Sequence, residues 1–290
     1  MTSKIHSMQF NFDREAPQPA EVDKVGLFFK PWEWLTDPQF SGLENIPAEG
    51  PVLFVANHTI LGGLDVPLVW LKLYRDKEIF LRMLVDHAHF QVPYLRDFLV
   101  KFGEVEGTRE NAADLLRKKQ YVLVFPGGAR EAFKKKGEAY QLIWRDHIGF
   151  AKLAIQFGCA IVPLASVGPE ECYDIMYDAD DYLKSPFGKM IERLGIRKDL
   201  LVPLVKGVGP TLLPKPQRFY FHFGRAIDTT HYQFKDSIKN ASDLRDLVKN
   251  ELESGIELLL ALRKNQPKES WFKRMLKKKG KSERESKKKS

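Results

Sequence analysis

Short unbroken apolar runs alternate with amphipathic stretches along most of this chain. Pro51 to Ala56, Tyr121 to Phe125 and Ala160 to Ala165 are apolar at almost every position, as expected for strands buried on both faces. Glu78 to Val85 and Arg218 to Phe223 read as two further strands. Between them, Asp65 to Asp76, Val92 to Phe102, Arg109 to Lys119 and Arg145 to Phe157 carry apolar residues at helical spacing. Ser242 is placed to cap a long amphipathic helix reaching Arg263. Strands alternating with helices predict an α/β fold with a mainly parallel central sheet and helices on both faces. Such sheets present ligands at the carboxyl ends of their strands. Gly168 to Lys215 fits neither period and reads as a long excursion covering the site.

Composition and charge narrow the class. The chain has 290 residues, 43% of them apolar, enough for a substantial core. No uninterrupted apolar run is long enough to span a bilayer; the nearest, Gly149 to Gly168, is broken by Lys152, Gln156, Gly158 and Pro163. The N-terminus lacks the apolar segment of a secretory signal. Two isolated cysteines, Cys159 and Cys172, offer neither a disulfide framework nor a zinc site and read as partly buried thiols in a reducing compartment. The net charge of +8 is concentrated in one place. Lys264 to Ser290 holds twelve Lys or Arg against three Glu, a balance of +9, leaving the rest of the chain at −1. A nearly neutral body argues against a nucleic-acid-binding fold and makes the tail a separate electrostatic device. Three parts follow: a loosely ordered segment over 1–25, a body over 26–263 and a basic tail over 264–290. Within the tail, Trp271, Phe272 and Leu276 lie among lysines, a composition suited to an anionic membrane surface. The aromatic cluster from Gly26 to Leu35 is either a helix packed on the body or an interfacial anchor.

Three loops carry candidate chemistry. In the first, Asn57 and His58 directly follow a buried strand, and Asp65 lies seven residues beyond His58, with Gly62 and Gly63 between to fold the chain back. An Asp so placed can accept the imidazole Nδ1–H, fix the tautomer and leave Nε2 to take a proton. The second loop runs from Gly103 to Glu110 and sets Arg109 at the start of a helix. In the third, a strand ends in Phe125-Pro126-Gly127-Gly128-Ala129-Arg130-Glu131, where exposed amides and Arg130 can grip a phosphate or an oxyanion. A serine hydrolase would show a Gly-x-Ser-x-Gly elbow. The nearest match is Leu164-Ala165-Ser166-Val167-Gly168, with Leu at the first glycine.

Taken in order, Gly42–Pro47, Asn57-His58 with Asp65, the Gly103–Arg109 block, Phe125–Arg130 and Ile161–Pro163 resemble the blocks of the glycerolipid acyltransferase family typified by lysophosphatidic acid acyltransferase. The resemblance covers about residues 36 to 225. It departs from the family pattern in the six residues separating His58 from Asp65, and in Gly127 and Ala129 where Glu and Thr are usual. The run Arg130-Glu131-Ala132 to Tyr140, and Arg109 to Ala112, are similar to the diacylglycerol acyltransferase-like branch that includes phytyl ester synthases. The resemblance implies transfer of a fatty acyl group from acyl-CoA, or acyl carrier protein, to a neutral lipid hydroxyl. It makes His58 the general base oriented by Asp65. It assigns Asn57, Gly103, Arg109, Gly127, Gly128, Arg130 and Glu131 to substrate binding. Neither a metal nor a bound cofactor is required. The expected setting is the cytoplasmic side of a membrane, as a peripheral protein. The alternatives are a lysophosphatidic acid acceptor and a non-catalytic lipid-binding module.

Overall fold

The computed structural model describes residues 17–91, 93–186, 188–194, 201–232 and 238–266. The elements in chain order are α1 (Pro19–Thr36), β1 (Gln39–Ser41), β2 (Val52–Ala56), α2 (Val66–Lys77), β3 (Leu81–Val85), α3 (His87–Phe90), α4 (Pro93–Lys101), β4 (Glu104–Glu106) and α5 (Arg109–Arg117). There follow β5 (Tyr121–Val124), α6 (Gly128–Ala132), α7 (Gly149–Phe157), β6 (Ala160–Val167), β7 (Asp174–Tyr177), α8 (Ala179–Lys184), α9 (Gly188–Arg193), β8 (Leu204–Lys206), β9 (Tyr220–Phe223) and α10 (Ile238–Asn265).

A seven-stranded sheet runs in the order β1-β9-β6-β2-β5-β3-β4. The strands from β6 to β4 are mutually parallel, while β9 is antiparallel to β6 and parallel to β1. The unbroken apolar runs are explained by burial on both faces. Leu53 and Val55 of β2 pack into one core with Leu115 and Leu116 of α5, Ala151 and Ala154 of α7, and α10. Val52, Phe54 and Ala56 pack into the other with Leu68, Leu71 and Leu73 of α2 and Phe219, Phe221 and Phe223 at β9. On α10, Leu244, Val248, Leu252, Ile256 and Leu259 form the buried stripe. Each such side chain contributes roughly 1.5–3 kcal/mol when fully buried, and this stripe holds the helix to the sheet.

Several boundaries differ from the sequence expectation. The helix α1 begins at Pro19, so residues 19–25 are ordered as helix rather than loose. Its inner face carries Val22 and Gly26, Trp32 Nε1 donates to the Leu64 carbonyl (2.7 Å), and Leu27, Phe28 and Trp34 face outward. The cluster over 26–35 is thus packed on the body by one face only. The last helix starts at Ile238, so Ser242 lies within it instead of capping it; packing of the apolar stripe carries the helix past the expected cap. The strands β1 and β4, three residues each, lie at the sheet edges, where pairing with a neighbour rather than local pattern makes them strands. The excursion over 168–215 contains the β7–β8 ribbon and the helices α8 and α9. No helix among the described residues is long and apolar enough to cross a membrane. Cys159 and Cys172 are both buried and unpaired. The interfacial reading of Trp271, Phe272 and Leu276 lies outside the described residues.

Candidate active site

The central strands β6, β2 and β5 end side by side, and the loops leaving them build the site. Asn57 comes first. Its Nδ2 donates to the Ser166 carbonyl (3.0 Å) and its Oδ1 accepts from the Ser166 amide (2.8 Å), tying the ends of β2 and β6 together. Both polar groups of Asn57 are thereby engaged in the fold.

His58 follows, and its main chain is clamped from behind. Its amide donates to Glu131 Oε1 (2.7 Å), and its carbonyl accepts from Lys134 Nζ (2.5 Å). The ring lies against Phe125, with centroids 4.4 Å apart. Gly62, with φ of 69°, covers its other side; a Cβ there would sit 2.2 Å from His58 Cε1. Only glycine satisfies both the left-handed backbone and that approach. Burial, with the Lys134 charge adding to it, lowers the imidazole pKa to about 4. The ring is therefore neutral at neutral pH. Nδ1 is covered and has no hydrogen-bond partner among the described residues.

Asp65, at the start of α2, does not bond to that ring nitrogen. Its carboxylate accepts from Thr59 Oγ1 (3.1 Å) and Ser166 Oγ (2.6 Å), so it secures the residue after His58 and the end of β6. Burial raises its pKa, against the two hydroxyl hydrogen bonds. The expected Nδ1–Asp65 hydrogen bond is not formed; the carboxylate oxygens accept from these two hydroxyls instead. Ser166 is itself buried within β6, its hydroxyl donated to Asp65. It is not at a strand-to-helix elbow, which removes the geometry a serine nucleophile needs.

The third loop explains its own departures. α6 starts just after Gly127 and carries Glu131, fully buried, back across that glycine. Glu131 Oε2 accepts from the Ile143 amide (3.2 Å) while Oε1 holds His58. A Cβ on residue 127 would lie 2.0 Å from Glu131 Oε2, so a side chain at 127 and this carboxylate exclude one another. Burial pushes Glu131 up to about 7. Glu131 thus grips the protein rather than presenting itself to a substrate. The Gly128 amide donates to the Phe125 carbonyl (3.0 Å), so of the two glycine amides only that of Gly127 is left without a hydrogen bond among the described residues. Arg130 Nη2 donates to Glu138 (2.5 Å), while its Nη1 is buried and has no partner among the described residues.

Two candidates come from the second loop. Gly103 is enclosed by Phe80 and Arg82, and its carbonyl accepts from Arg82 Nε (2.8 Å), which gives it a packing role at the start of β4. Arg109 is exposed at the first turn of α5, which Thr108 caps by accepting from the Asn111 amide (3.1 Å). No acidic side chain among the described residues pairs with Arg109.

Lys134 and Glu170 carry parts of the site that sequence reasoning did not reach. They form a buried ion pair (2.6 Å) directly behind His58, and burial raises the Glu170 pKa against the pull of Lys134. Lys134 stands in a run of three lysines, the pattern of a solvated surface. Lys135 and Lys136 do reach outward, to Asp180 and Asp181 (2.7 Å each). Among the described residues, no group of three His, Cys, Asp or Glu side chains converges as a metal site would require.

The likeness to known proteins runs along the same segments. The acyltransferase family profile matches residues 37–167. Phytyl ester synthase 2 of Arabidopsis thaliana is 35% identical over 263 residues, covering 81% of this chain and 36% of that protein. A human protein described as a DGAT1/2-independent enzyme synthesizing storage lipids is 32% identical over 123 residues, covering 42% of this chain and 37% of its own length. The chain thus spans about a third of each of these relatives. The crystal structure of the 1-acyl-sn-glycerophosphate acyltransferase of Thermotoga maritima shares the fold, with a TM-score of 0.52, 17% identity and coverage of 86% of this chain and 81% of that one. With His58, Asp65, Gly127 and Arg130 all inside the matched segment, at the end of the sheet, residues 37–167 form a domain of the acyltransferase family.

Proposed function

We propose that this protein transfers a fatty acyl group from acyl-CoA to the hydroxyl of a neutral lipid, diacylglycerol or a long-chain alcohol, with His58 as general base. The observation that carries the reading is His58 itself: a neutral imidazole at the carboxyl end of the central strand, its main chain clamped by Glu131 and Lys134. Since Nδ1 is covered, Nε2 is the nitrogen left to accept the acceptor's proton. As the alcohol oxygen attacks the thioester carbonyl, Nε2 takes that proton, and the thiolate leaves with the proton returned by the imidazolium. The Gly127 amide is the candidate donor to the oxyanion. Arg130, with one buried nitrogen unpaired, and the exposed Arg109 are the candidates to bind the phosphates of coenzyme A. Asp65 acts on His58 through the loop, by holding Thr59.

The neutral acceptor rests on the phytyl ester synthase likeness and on the third loop, where Glu131 occupies the space of a side chain at 127. The same two arginines favour a second reading, acylation of lysophosphatidic acid. A lipid acceptor implies work at a membrane surface as a peripheral protein on the cytoplasmic side, and the basic tail is suited to an anionic one. The test is lipid mass spectrometry of a host expressing the wild type beside His58→Ala. A positioned general base is worth ~10² to ~10⁴ in rate. A wild-type-specific rise in triacylglycerol or wax ester is expected; a rise in phosphatidic acid would move the acceptor to the second reading. If folded His58→Ala produced as much product as the wild type, His58 would not be the base.

A further inference from the structure

The excursion between β6 and β9 ends in an apolar finger that none of the catalytic reading uses. Its base is the antiparallel β7–β8 ribbon, in which Tyr177 and Leu204 are opposed and both half exposed. Beyond β8 the chain makes a narrow turn: the Gly207 amide donates to the Thr211 carbonyl (2.7 Å) and the Val208 amide to the Leu213 carbonyl (2.8 Å). At the end of that turn Leu212 and Leu213 are 69% and 67% exposed, and Val208 stands out beside them. The turn is held rather than loose. Tyr173 Oη donates to the Leu212 carbonyl (3.2 Å), and the Lys215 amide donates to the Cys172 carbonyl (2.9 Å). A protein that holds three large apolar side chains outward by hydrogen bonds leaves apolar surface in water that burial would stabilise.

Charge identifies what buries it. Residues 201–218 contain Lys206, Lys215 and Arg218 and no acidic residue. Five acids of the neighbouring excursion are occupied by cations within the protein: Glu170 by Lys134, Glu171 by Arg263, Asp174 by Lys215, Asp180 by Lys135 and Asp181 by Lys136. Lys215 is engaged by Asp174 in turn and Arg218 by Asp37, so the segment around the apolar tip keeps an excess of one positive charge, that of Lys206, which has no ion pair among the described residues. Exposed leucines beside an uncompensated lysine match the headgroup–acyl boundary of an anionic bilayer, which takes the apolar tip inside and the cation at the phosphates.

We propose that the 207–214 turn inserts into the surface of an anionic lipid bilayer through Val208, Leu212 and Leu213, with Lys206 at the headgroups. This goes with the lipid acceptor proposed above, but it does not need turnover to be tested. The finger is mechanically tied to the site. Its root at Cys172 is two residues from Glu170, which pairs with the lysine that holds the His58 carbonyl, and the next two lysines bind α8. Docking the finger therefore brings the lipid surface to a fixed distance from His58.

The experiment introduces one thiol, Leu213→Cys, into the full-length protein and labels it with an environment-sensitive fluorophore. The two native cysteines are buried, with thiols pushed up to about 12, and do not compete for label. Vesicles of phosphatidylcholine with one-third phosphatidylglycerol should blue-shift and brighten the probe. Replacing Lys206 by Gln should raise the half-saturating lipid concentration severalfold at low salt, with the difference lost at high salt. A double change, Leu212→Asp with Val208→Asp, should abolish the shift. An unchanged spectrum with vesicles would overturn the proposal. So would a blue shift that grows with protein concentration without lipid, since the finger would then be a contact between copies of this chain. Failure here with acyl transfer intact would leave the function above standing.

Discussion

The clamp behind His58 can be tested by removing its cation. Lys134 is 1% exposed, and its Nζ lies 2.6 Å from Glu170 and 2.5 Å from the His58 carbonyl. In Lys134→Met the side-chain volume stays, but a buried carboxylate and a buried carbonyl lose their donor. Breaking a buried pair on one side destabilises by about 3–5 kcal/mol, because the remaining charge is uncompensated. Against a total stability of about 5–15 kcal/mol this is a large fraction. With a urea dependence of about 3 kcal/mol/M for a domain of this size, the midpoint should fall by roughly 1 M or more. The loss should depend on pH. Burial already holds Glu170 and Glu131 above the ordinary carboxylate range, and Lys134 works against this in both. Without the lysine both folded-state values rise further. A carboxyl with a raised folded-state pKa favours the folded state below its unfolded value, and that benefit is lost as pH rises through the folded value. The gap between variant and wild type should therefore narrow as pH is lowered from about 8 toward about 5, as the stranded acids take up protons. The second variant, Lys134→Met with Glu170→Leu, should recover most of the loss, since replacing both members of a buried pair by apolar groups is often neutral. If Lys134→Met unfolds within about 0.5 kcal/mol of wild type, or the double variant is no better than the single, the buried pair is not what secures this loop.

Two substitutions test the neighbouring positions. Gly127→Ala places a methyl 2.0 Å from Glu131 Oε2 and should cost about 1–3 kcal/mol of stability and at least tenfold in kcat, as Glu131 lets go of the His58 amide; wild-type melting and turnover together would show that the carboxylate does not need that space. Asp65→Asn should keep at least about a tenth of wild-type kcat, because the Thr59 and Ser166 hydroxyls can turn to serve an amide as well as a carboxylate. A loss on the order of 10³ would instead put the carboxylate on the imidazole in the working enzyme.

The sheet was legible in the sequence wherever a strand is buried on both faces. Val52–Ala56, Tyr121–Val124 and Ala160–Val167 appear as apolar runs because neither face meets water. The edge strands β1 and β4 left no trace, since three residues with one partner need no pattern of their own. The carboxyl-end loops were legible too. Asn57 and His58 stand directly after one of those runs, Asp65, Gly127 and Arg130 within nine residues of one, and the structure gathers most of them at one end of the sheet. Their individual roles were not legible, because each depends on partners far away in the chain. Asn57 is taken up by Ser166, 109 residues on; Asp65 by the same serine, 101 on; and Glu131 by a main-chain amide 73 residues earlier.

Local apolar pattern, turn residues and block order by themselves determined the fold class, the family resemblance and the choice of His58, because those depend on near neighbours and on the order of elements. Only the packed structure decided that Lys134, one of three adjacent lysines, points inward while the other two point out. It likewise decided that Glu131 lies over Gly127 and that Asp65 reaches hydroxyls instead of a ring nitrogen. The physical reason is the same in each case. A buried charge goes where a partner compensates its lost hydration, and only the folded chain determines which partner is within reach.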